Sequence, residues 1–276
     1  MRDGIREKLL DSIPELKECY EPTVPDKSTE KPYAVILQGS DDKQNNPTSY
    51  SRNIQIWLYD KRLTFNTLDS LMEKVIATLD LQTITEDTGE SYTCVFNGTV
   101  GDDFADDEWD AITRGLNFNV IALHEENDSY VDAWAGAVAA YINNLINIPA
   151  YPSEYWIKNF AAPSVLCRII KSNLSPATLG ANRVMKTIRC HFVSKDKSMA
   201  NKLIDTVENQ LIQDTKIPLD IEDRRYLTIS SIREDREADP FTVGQLSVDF
   251  FRLENIKGKN IPVMNKIYGR GSIKEE

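Results

Sequence analysis

The feature that most constrains the fold of this chain is an internal repeat of about 130 residues. In the first half, five apolar residues have the spacing i, i+3, i+4, i+7, i+11: Leu68, Leu71, Met72, Val75 and Leu79. The same spacing recurs 132 positions later, at Ala200, Leu203, Ile204, Val207 and Leu211. Residues spaced in this way share one face of an α-helix. Two matching helices at this separation predict a duplicated module.

A strand-like run precedes each helix. Residues 53–59 place Ile54, Ile56 and Leu58 on one face, and residues 185–192 follow at the offset of 132. Alternation of this kind predicts half-buried strands. The polar Lys186, opposite Ile54 in this alignment, is a departure. Polar residues that favour helix N-termini come just before both helices: Thr64 and Asn66, then Asp196 and Ser198.

The last strand of each half repeats a more unusual pattern. The run that begins at Leu116 alternates apolar and polar residues and then moves its apolar residues to the opposite face from Ile121. The run that begins at Leu246 does the same from Phe251, at an offset of 130. Because the side-chain period of a strand is two, such a shift reverses the apolar face. The shared shift predicts equivalent closing strands.

These elements give a unit of helix, strand, strand, helix, strand, strand. We predict one copy in residues 1–127 and a second in residues 128–254, separated by the polar linker composition around 124–130. Residues 255–276 form a C-terminal arm without a counterpart after the first module. Hairpin connections predict mainly antiparallel sheets with the helices packed on one face, which is the α+β class.

The charge balance restricts the partners. The chain of 276 residues has 32 Lys or Arg against 43 Asp or Glu, a net charge of −11. Nucleic-acid binding through phosphates needs a basic surface, so that class is disfavoured. No run approaches the roughly 20 apolar residues that span a bilayer, and the charged N-terminus is unlike a signal peptide. We therefore expect no membrane partner, and we expect the four cysteines to be reduced, packed thiols.

The residues usual in catalysis do not form a recognisable set. The two histidines are His124, in the linker, and His191, next to Cys190 on a strand. Neighbouring strand residues point to opposite faces, so Cys190 and His191 do not pair as nucleophile and base. Phosphate-loop, dinucleotide, zinc-protease and serine-hydrolase motifs are missing from the sequence. We predict that the protein is not an enzyme and uses no cofactor and no metal.

One acidic segment, residues 101–110, could attract a cation. Its carboxylates include Asp102, Asp103, Asp106 and Asp107. The spacing does not fit the EF-hand pattern, and the glycine expected at the sixth position is missing. The equivalent turn of the second half, residues 233–240, mixes positive and negative charges. We therefore favour a structural or electrostatic role for the acidic segment.

Three segments lie outside the regular pattern. Residues 38–50 and 170–182 join the first two strands of each module and are long for hairpin loops, a feature often linked to function. The alternative is a solvated hairpin. The basic arm could add a strand to a neighbour or lie in its groove, the alternative being a frayed terminus. The candidate interaction residues in these segments are Asp41, Asp42, Lys43, Ile261, Val263, Met264, Ile267 and Tyr268.

The order of these elements resembles the tail terminator (tail completion) family of tailed bacteriophages. The resemblance is carried by the opening Ile5-Arg-Glu-Lys-Leu-Leu with its end at Ile13-Pro14, a strand after proline, a long polar hairpin, and the run 53–59 leading into the helix 68–79. It covers most of each half and rests on element order and apolar pattern. Members of the family usually have one module, so two fused copies are a departure that leaves the stoichiometry open.

The resemblance implies a structural virion protein, assembled in the host cytoplasm, that forms a ring at the head-proximal end of a tail. The ring would end polymerisation of the tube or sheath and join tail to head. Its partners would be its own copies, the tail tube, the sheath protein, and the head-completion or neck proteins. DNA would pass through the lumen without specific binding. Six chains are the preferred number, and three duplicated chains are the alternative.

The same hypothesis gives roles to two surfaces. The acidic 101–110 segment or the two long hairpins would face the lumen, because like charge disfavours DNA binding. Trp57 and Tyr59 would pack between subunits, unless a second layer within the module covers them.

Other functions fit the same sequence. The chain could be another neck or baseplate component of a tail or a tail-like particle. A host ligand-binding or regulatory module would instead have an apolar pocket with convergent polar groups between the modules. An enzyme on this fold is the third alternative, and the missing motifs disfavour it.

Overall fold

The fold is built from four helices within the part of the chain that the structure describes. This structure is a computed structural model, and it describes residues 1–42, 47–48, 50–128, 130–178 and 180–255. The helices are α1 (Arg2–Ser12), α2 (Phe65–Leu79), α3 (Ala133–Ile146) and α4 (Lys197–Asp214), with a 3₁₀ turn at Glu126–Asp128. None of these helices is long and apolar enough to cross a membrane.

Two six-stranded sheets accompany the helices. The first contains β1 (Cys19–Tyr20), β2 (Tyr33–Asp42), β3 (Ser51–Asp60), β4 (Gln82–Thr85), β5 (Ser91–Asp106) and β6 (Ala111–Leu123). The second contains β7 (Ala150–Pro152), β8 (Ser164–Thr178), β9 (Ala181–Val193), β10 (Lys216–Asp220), β11 (Arg225–Glu234) and β12 (Leu246–Asn255). The chain is therefore α+β, as the sequence predicted.

Both sheets have the same strand order. The first runs β1-β2-β3-β6-β5-β4, and the second runs β7-β8-β9-β12-β11-β10 when read in the same direction. In each sheet the first pair is parallel and the others are antiparallel. One topology built twice is consistent with a duplicated module.

Four short strands were not predicted. β1, β4, β7 and β10 each contain two to five residues and lie at the sheet edges. Each half therefore contains a helix followed by three strands, and this unit occurs twice in the half. The sequence predicted two strands after each helix, which is one fewer than the structure has. Segments this short carry too few residues for a period-two pattern to be visible.

The segments predicted as long loops are largely strand. β8 and β9 continue to Thr178 and Ala181, so the predicted loop 170–182 is mostly the outer part of a hairpin. β2 extends to Asp42 in the same way. Their polar residues suggested loops, but an exposed hairpin can be polar on both faces and still satisfy its backbone hydrogen bonds.

The strand register corrects one detail of the repeat. Ile56 pairs with Leu116 in the first sheet, and Ile188 pairs with Val248 in the second. Ile188 follows Ile56 by 132 positions, and Val248 follows Leu116 by the same number. The predicted offset of 130 for the last strand was therefore two residues short. A two-residue error keeps every side chain on the same face, which is why the apolar pattern did not reveal it.

The helices cover one face of each sheet, as predicted. The five apolar residues of the first predicted helix are all buried in α2, and they pack with Ile5 and Leu9 of α1 against the strands. The equivalent core of the second half combines α3 and α4 with the inner residues of β8, β9 and β12. Each half therefore buries its own core.

Lys186 is accommodated by partners rather than by burial in the core. Its ammonium pairs with the carboxylate of Asp132 and lies 5.1 Å from the centre of the Trp134 ring. Asp132 is also the N-cap of α3, where it accepts a hydrogen bond from the Trp134 amide. The charge at this position thus fixes the start of the helix to the sheet.

The helix caps give a first prediction. Asp196 accepts a hydrogen bond of 2.9 Å from the Ser198 amide at the start of α4. We expect Asp196→Ala to lower the free energy of unfolding by about 1 kcal/mol, because an amide of the first turn loses its partner. Urea denaturation followed by circular dichroism measures this. Lys195→Ala, at the exposed neighbouring position, should change the value by less than about 0.5 kcal/mol, and equal losses would contradict the assigned cap.

Candidate functional site

The two halves of the chain meet in a buried apolar joint. Residues 153–162 lie between the outer faces of the two sheets and insert Trp156 and Phe160, which are almost completely buried. The joint also contains Leu81, Ile121 and Leu123 from the first half and Leu166, Val193 and Phe241 from the second. Since one segment contacts both halves, it holds them in a fixed arrangement.

Hydrogen bonds fix the segment to both halves. The Trp156 indole donates to the carbonyl of Phe241 at 3.0 Å, on the side of the second sheet. On the side of the first sheet, the His124 amide donates to the Trp156 carbonyl at 2.8 Å, and the Lys158 amide donates to the His124 carbonyl at 2.9 Å. The main chain of this segment therefore bonds to the main chain of the first half, while its Trp156 side chain packs against the second half.

The joint uses different ends of the two sheets. We call the end at which β2 or β8 begins the base end, and the opposite end the tip end. Ile121 and Leu123 lie at the tip end of the first sheet, where β6 finishes. Leu166 and Val193 lie at the base end of the second sheet, where β8 begins and β9 finishes. The contact between the halves is consequently head to tail.

Each chain retains one unused end of each kind. At the base end of the first sheet, Tyr59 and Trp109 occupy the positions that His191 and Phe241 hold in the second, 132 residues later. His191 and Phe241 are covered by Trp156. At the tip end of the second sheet, Leu253 is the register counterpart of Ile121, and 54% of it is exposed.

The aromatic residues at the base end of the first sheet form a cluster of their own. Tyr59 is buried and stacks between Tyr33 and Trp109, at centroid distances of 5.0 and 4.8 Å. Trp57 is half-buried over Gly115 and meets the edge of Phe104 at 6.2 Å. Tyr59 is therefore covered by its own module, which is the alternative that the sequence left open for it. The partly exposed members are Tyr20, Trp57 and Trp109.

The acidic 101–110 segment is part of the β5–β6 hairpin at the same base end. The guanidinium of Arg114 pairs with both carboxylate oxygens of Asp103 and donates to Asp69 at 2.7 Å. Asp107 pairs with Arg62 at 2.6 Å. The hydrogen bond from Arg114 keeps the pKa of Asp103 low. Half of the predicted acidic candidates thus have arginine partners.

The other two predicted acidic residues differ from these. Asp106 accepts a hydrogen bond of 3.0 Å from the Trp109 amide and so shapes the turn. Asp102 is exposed to solvent. Among the described residues, the group of three carboxylates whose oxygens lie within 4.8 Å of one another is Asp205, Glu208 and Glu234. Arg236 donates to Asp205 at 2.5 Å and to Glu234 at 3.0 Å, so one guanidinium pairs with two of these three carboxylates.

Of the remaining predicted interaction residues, some have a partner in the structure and the others lie outside the described residues. Asp41 accepts two hydrogen bonds from the Arg52 guanidinium, at 2.5 and 2.7 Å, across the β2–β3 hairpin. The backbone of Asp42 pairs with Ser51. The Asp42 side chain, Lys43 and the five candidates of the arm lie outside the described residues. Asn255, counted with the arm, is the last residue of β12 and pairs with Ala181.

His191 is a buried structural residue. Its Nδ1 lies 2.9 Å from the Pro240 carbonyl, and Arg168 Nε donates to its Nε2 at 3.3 Å. These two contacts require the tautomer with hydrogen on Nδ1. Burial lowers the pKa of His191 to about 3, and the charges of Arg168 and Arg189 add to the effect. The ring is therefore neutral at physiological pH and has both nitrogens engaged.

The thiols are equally unsuited to attack. All four cysteines are free and buried. Burial raises the pKa of Cys19 and of Cys94 to about 12, and the sulfur atoms of Cys167 and Cys190 lie 3.8 Å apart in the core of the second half. A thiol acts as a nucleophile only when ionised, so these side chains serve as core residues.

Sequence reasoning missed the joint. The segment 155–160 reads Tyr-Trp-Ile-Lys-Asn-Phe, rich in aromatic residues but without helical or strand periodicity. That combination, a large apolar side chain in an irregular segment, was the available signal. A scan against models of protein families and a search of curated proteins found no match to this sequence.

The joint predicts how stability depends on Trp156. We expect Trp156→Ala to lower the free energy of unfolding by about 3–5 kcal/mol, because it opens a cavity between the halves and removes a buried hydrogen bond. Urea denaturation of the whole chain measures the change. Trp109→Ala, at a partly exposed tryptophan of the first sheet, should cost less than half as much. A smaller loss at Trp156 than at Trp109 would contradict the role of the joint.

His191 predicts a pH dependence. Its folded pKa of about 3 lies below the ordinary value of 6.5, so between these values only the unfolded chain binds the proton. The stabilising contribution is complete above pH 6.5 and is lost as the pH falls toward 3. We expect the free energy of unfolding of the unsubstituted protein to fall by about 2 kcal/mol more than that of His191→Gln between pH 7 and pH 5. Parallel losses in denaturant titrations at the two pH values would refute this.

Proposed function

We propose that this protein is a structural component of a bacteriophage tail that assembles into a ring, of the tail terminator kind. The observation that carries the proposal is the head-to-tail contact between the two halves. A contact that joins unlike ends leaves one free end of each kind on every chain. Repetition of the same contact between chains generates a ring when the rotation closes and an open filament when it does not, whereas a contact between like ends would stop at a pair.

The free ends have the surface that such a contact needs. At the tip end of the second sheet, Leu253 and Tyr226 are exposed. At the base end of the first sheet, Phe104 is exposed against Trp57 of the aromatic cluster, and Val24, in the segment after β1, is also exposed. Exposed apolar side chains that gather at both ends of a molecule favour an interaction site over scattered surface residues. In this proposed arrangement the acidic hairpin 101–110 would lie at the contact between chains, so of the two assignments that the sequence offered for the lumen, the long hairpins are the one we retain.

Long stretches of strand edge support the same proposal. β4 pairs with residues 91–94 of β5, and β7 pairs with residues 165–167 of β8. Beyond these residues, the outer edges of β5 and β8 have no strand partner within the described chain. Open edges are sites at which tail or neck proteins could add strands.

The charge supports a ring through which DNA slides. The net charge of −11 gives a surface that repels phosphates. We retain six chains as the preferred number and three as the alternative. The tail tube, the sheath protein and the head-completion proteins are the proposed neighbours, in the neck of the virion.

The structure offers less support to the other functions. A ligand-binding module would have an apolar pocket between the halves, but Trp156 and Phe160 fill that space. The groove that remains beside the joint, about 290 Å³, is bordered by polar residues that include Glu90, His124 and Lys158. A neck or baseplate component would use the same ring-forming contact, so it remains the second candidate.

The ring proposal is tested by oligomeric state. We expect light scattering after size exclusion to give a mass of six or three chains of 31.4 kDa, with a central hole in negative-stain images. Leu253→Lys should reduce the assembly to monomers, because a charge enters the apolar contact. Ile212→Lys is the matched control, since Ile212 is 58% exposed but lies on α4. A chain that stays monomeric and fails to cap added tail tubes would overturn the proposal.

A further inference from the structure

An apolar groove lies on the helix side of the second half, next to the edge strand β10. Its volume is about 510 Å³. The wall on α3 is low because Ala137 and Ala140 are small, and the opposite wall is formed by Leu219 and Ile221. Ile221 is 72% exposed. An open apolar groove beside a strand edge is a common site for an extended peptide.

The groove has an acidic end. Asp214 is the charged residue of its described lining, and its carboxylate accepts hydrogen bonds from Tyr141 at 2.7 Å and from Gln210 at 3.0 Å. Burial raises the pKa of Tyr141 and keeps its hydroxyl protonated as a donor. The turn after β10, residues 220–225, has three carboxylates against two arginines, so it adds a net charge of −1 beside the groove. The occupant that complements this groove is apolar and basic.

The described chain leaves the second sheet close to this groove. β12 lies beside β11, with Phe251 opposite Thr228, and β11 lies beside β10, with Tyr226 opposite Pro218. β11 begins at Arg225 and β12 ends at Asn255, so their antiparallel register places the end of β12 near the β10–β11 turn. Two strand spacings, about 10 Å, separate β12 from β10.

The residues that follow have the required chemistry. Residues 256–276 contain five Lys or Arg and two Glu, in a chain whose net charge is −11. They also contain seven apolar residues: Ile256, Ile261, Val263, Met264, Ile267, Tyr268 and Ile273. Twenty-one residues extend up to about 70 Å, far more than the distance to the groove.

We propose that residues 256–276 bind in the groove between α3 and β10 of their own chain. Their apolar side chains cover Ala137, Ala140 and Leu219, and their basic residues face Asp214 and the β10–β11 turn. This contact stabilises the edge of the second sheet. It leaves the exposed outer face at Leu253 uncovered, and it does not depend on ring formation.

A photo-crosslinking amino acid at Ala140 of the full chain tests the proposal. Ala140 is exposed on α3 and lines the groove, so the substitution leaves the core intact. We expect illumination to join position 140 to a peptide from residues 256–276 within a single chain of 31.4 kDa. The same group at Ile212, exposed on α4 outside the groove, should give no such product.

Two results would overturn the proposal. One is a crosslink at twice the mass of the chain, which would assign the groove to a second copy. The other is the absence of any crosslink to residues 256–276. Because a bulky group at position 140 could itself block the groove, hydrogen exchange of the unmodified chain is the second measurement. Met264→Asp should speed exchange in β10 about tenfold, and an unchanged rate there would also count against the proposal.

Discussion

The constraint on which this structure depends is that each sheet has apolar residues on part of its outer face as well as on the face that the helices cover. Helices cover one face of each sheet, with α1 and α2 on the first and α3 and α4 on the second. The outer faces need other cover, because apolar area left in water costs about 25 cal/mol per Å². The joint around Trp156 buries one end of each outer face. The aromatic stack around Tyr59 covers part of the other end of the first sheet.

The sequence predicted the parts of the fold that obey a simple period. The apolar stripes of α2 and α4 and the alternation in β3, β9, β6 and β12 are visible because burial on one face imposes period 3.6 or period two. The short edge strands escaped prediction because two to five residues show no period. The outer half of the β8–β9 hairpin was predicted as a loop because its strands carry Asn173, Ser175 and Pro176, residues typical of turns.

The candidate site was less visible in the sequence than the fold. Trp156 and Phe160 lie in an irregular segment, so no periodicity marks them, and their partners come from distant positions such as Ile121 and Phe241. The acidic segment 101–110 looked like an unbalanced charge cluster. Part of its charge is offset by Arg62 and Arg114, which only the folded chain brings near. Both the joint and the pairing of the acidic segment depend on contacts between residues that are far apart in the sequence.

The joint also sets a geometry that extends past the single chain. The packing of Trp156 fixes the rotation that carries the first half onto the second. If the same rotation acts between chains, three chains require about 60° per module and six chains require about 30°. In the proposed ring, the curvature would then depend on the thickness of the side chains between the sheets. A smaller or larger residue at position 156 would alter the angle between the two halves of each chain.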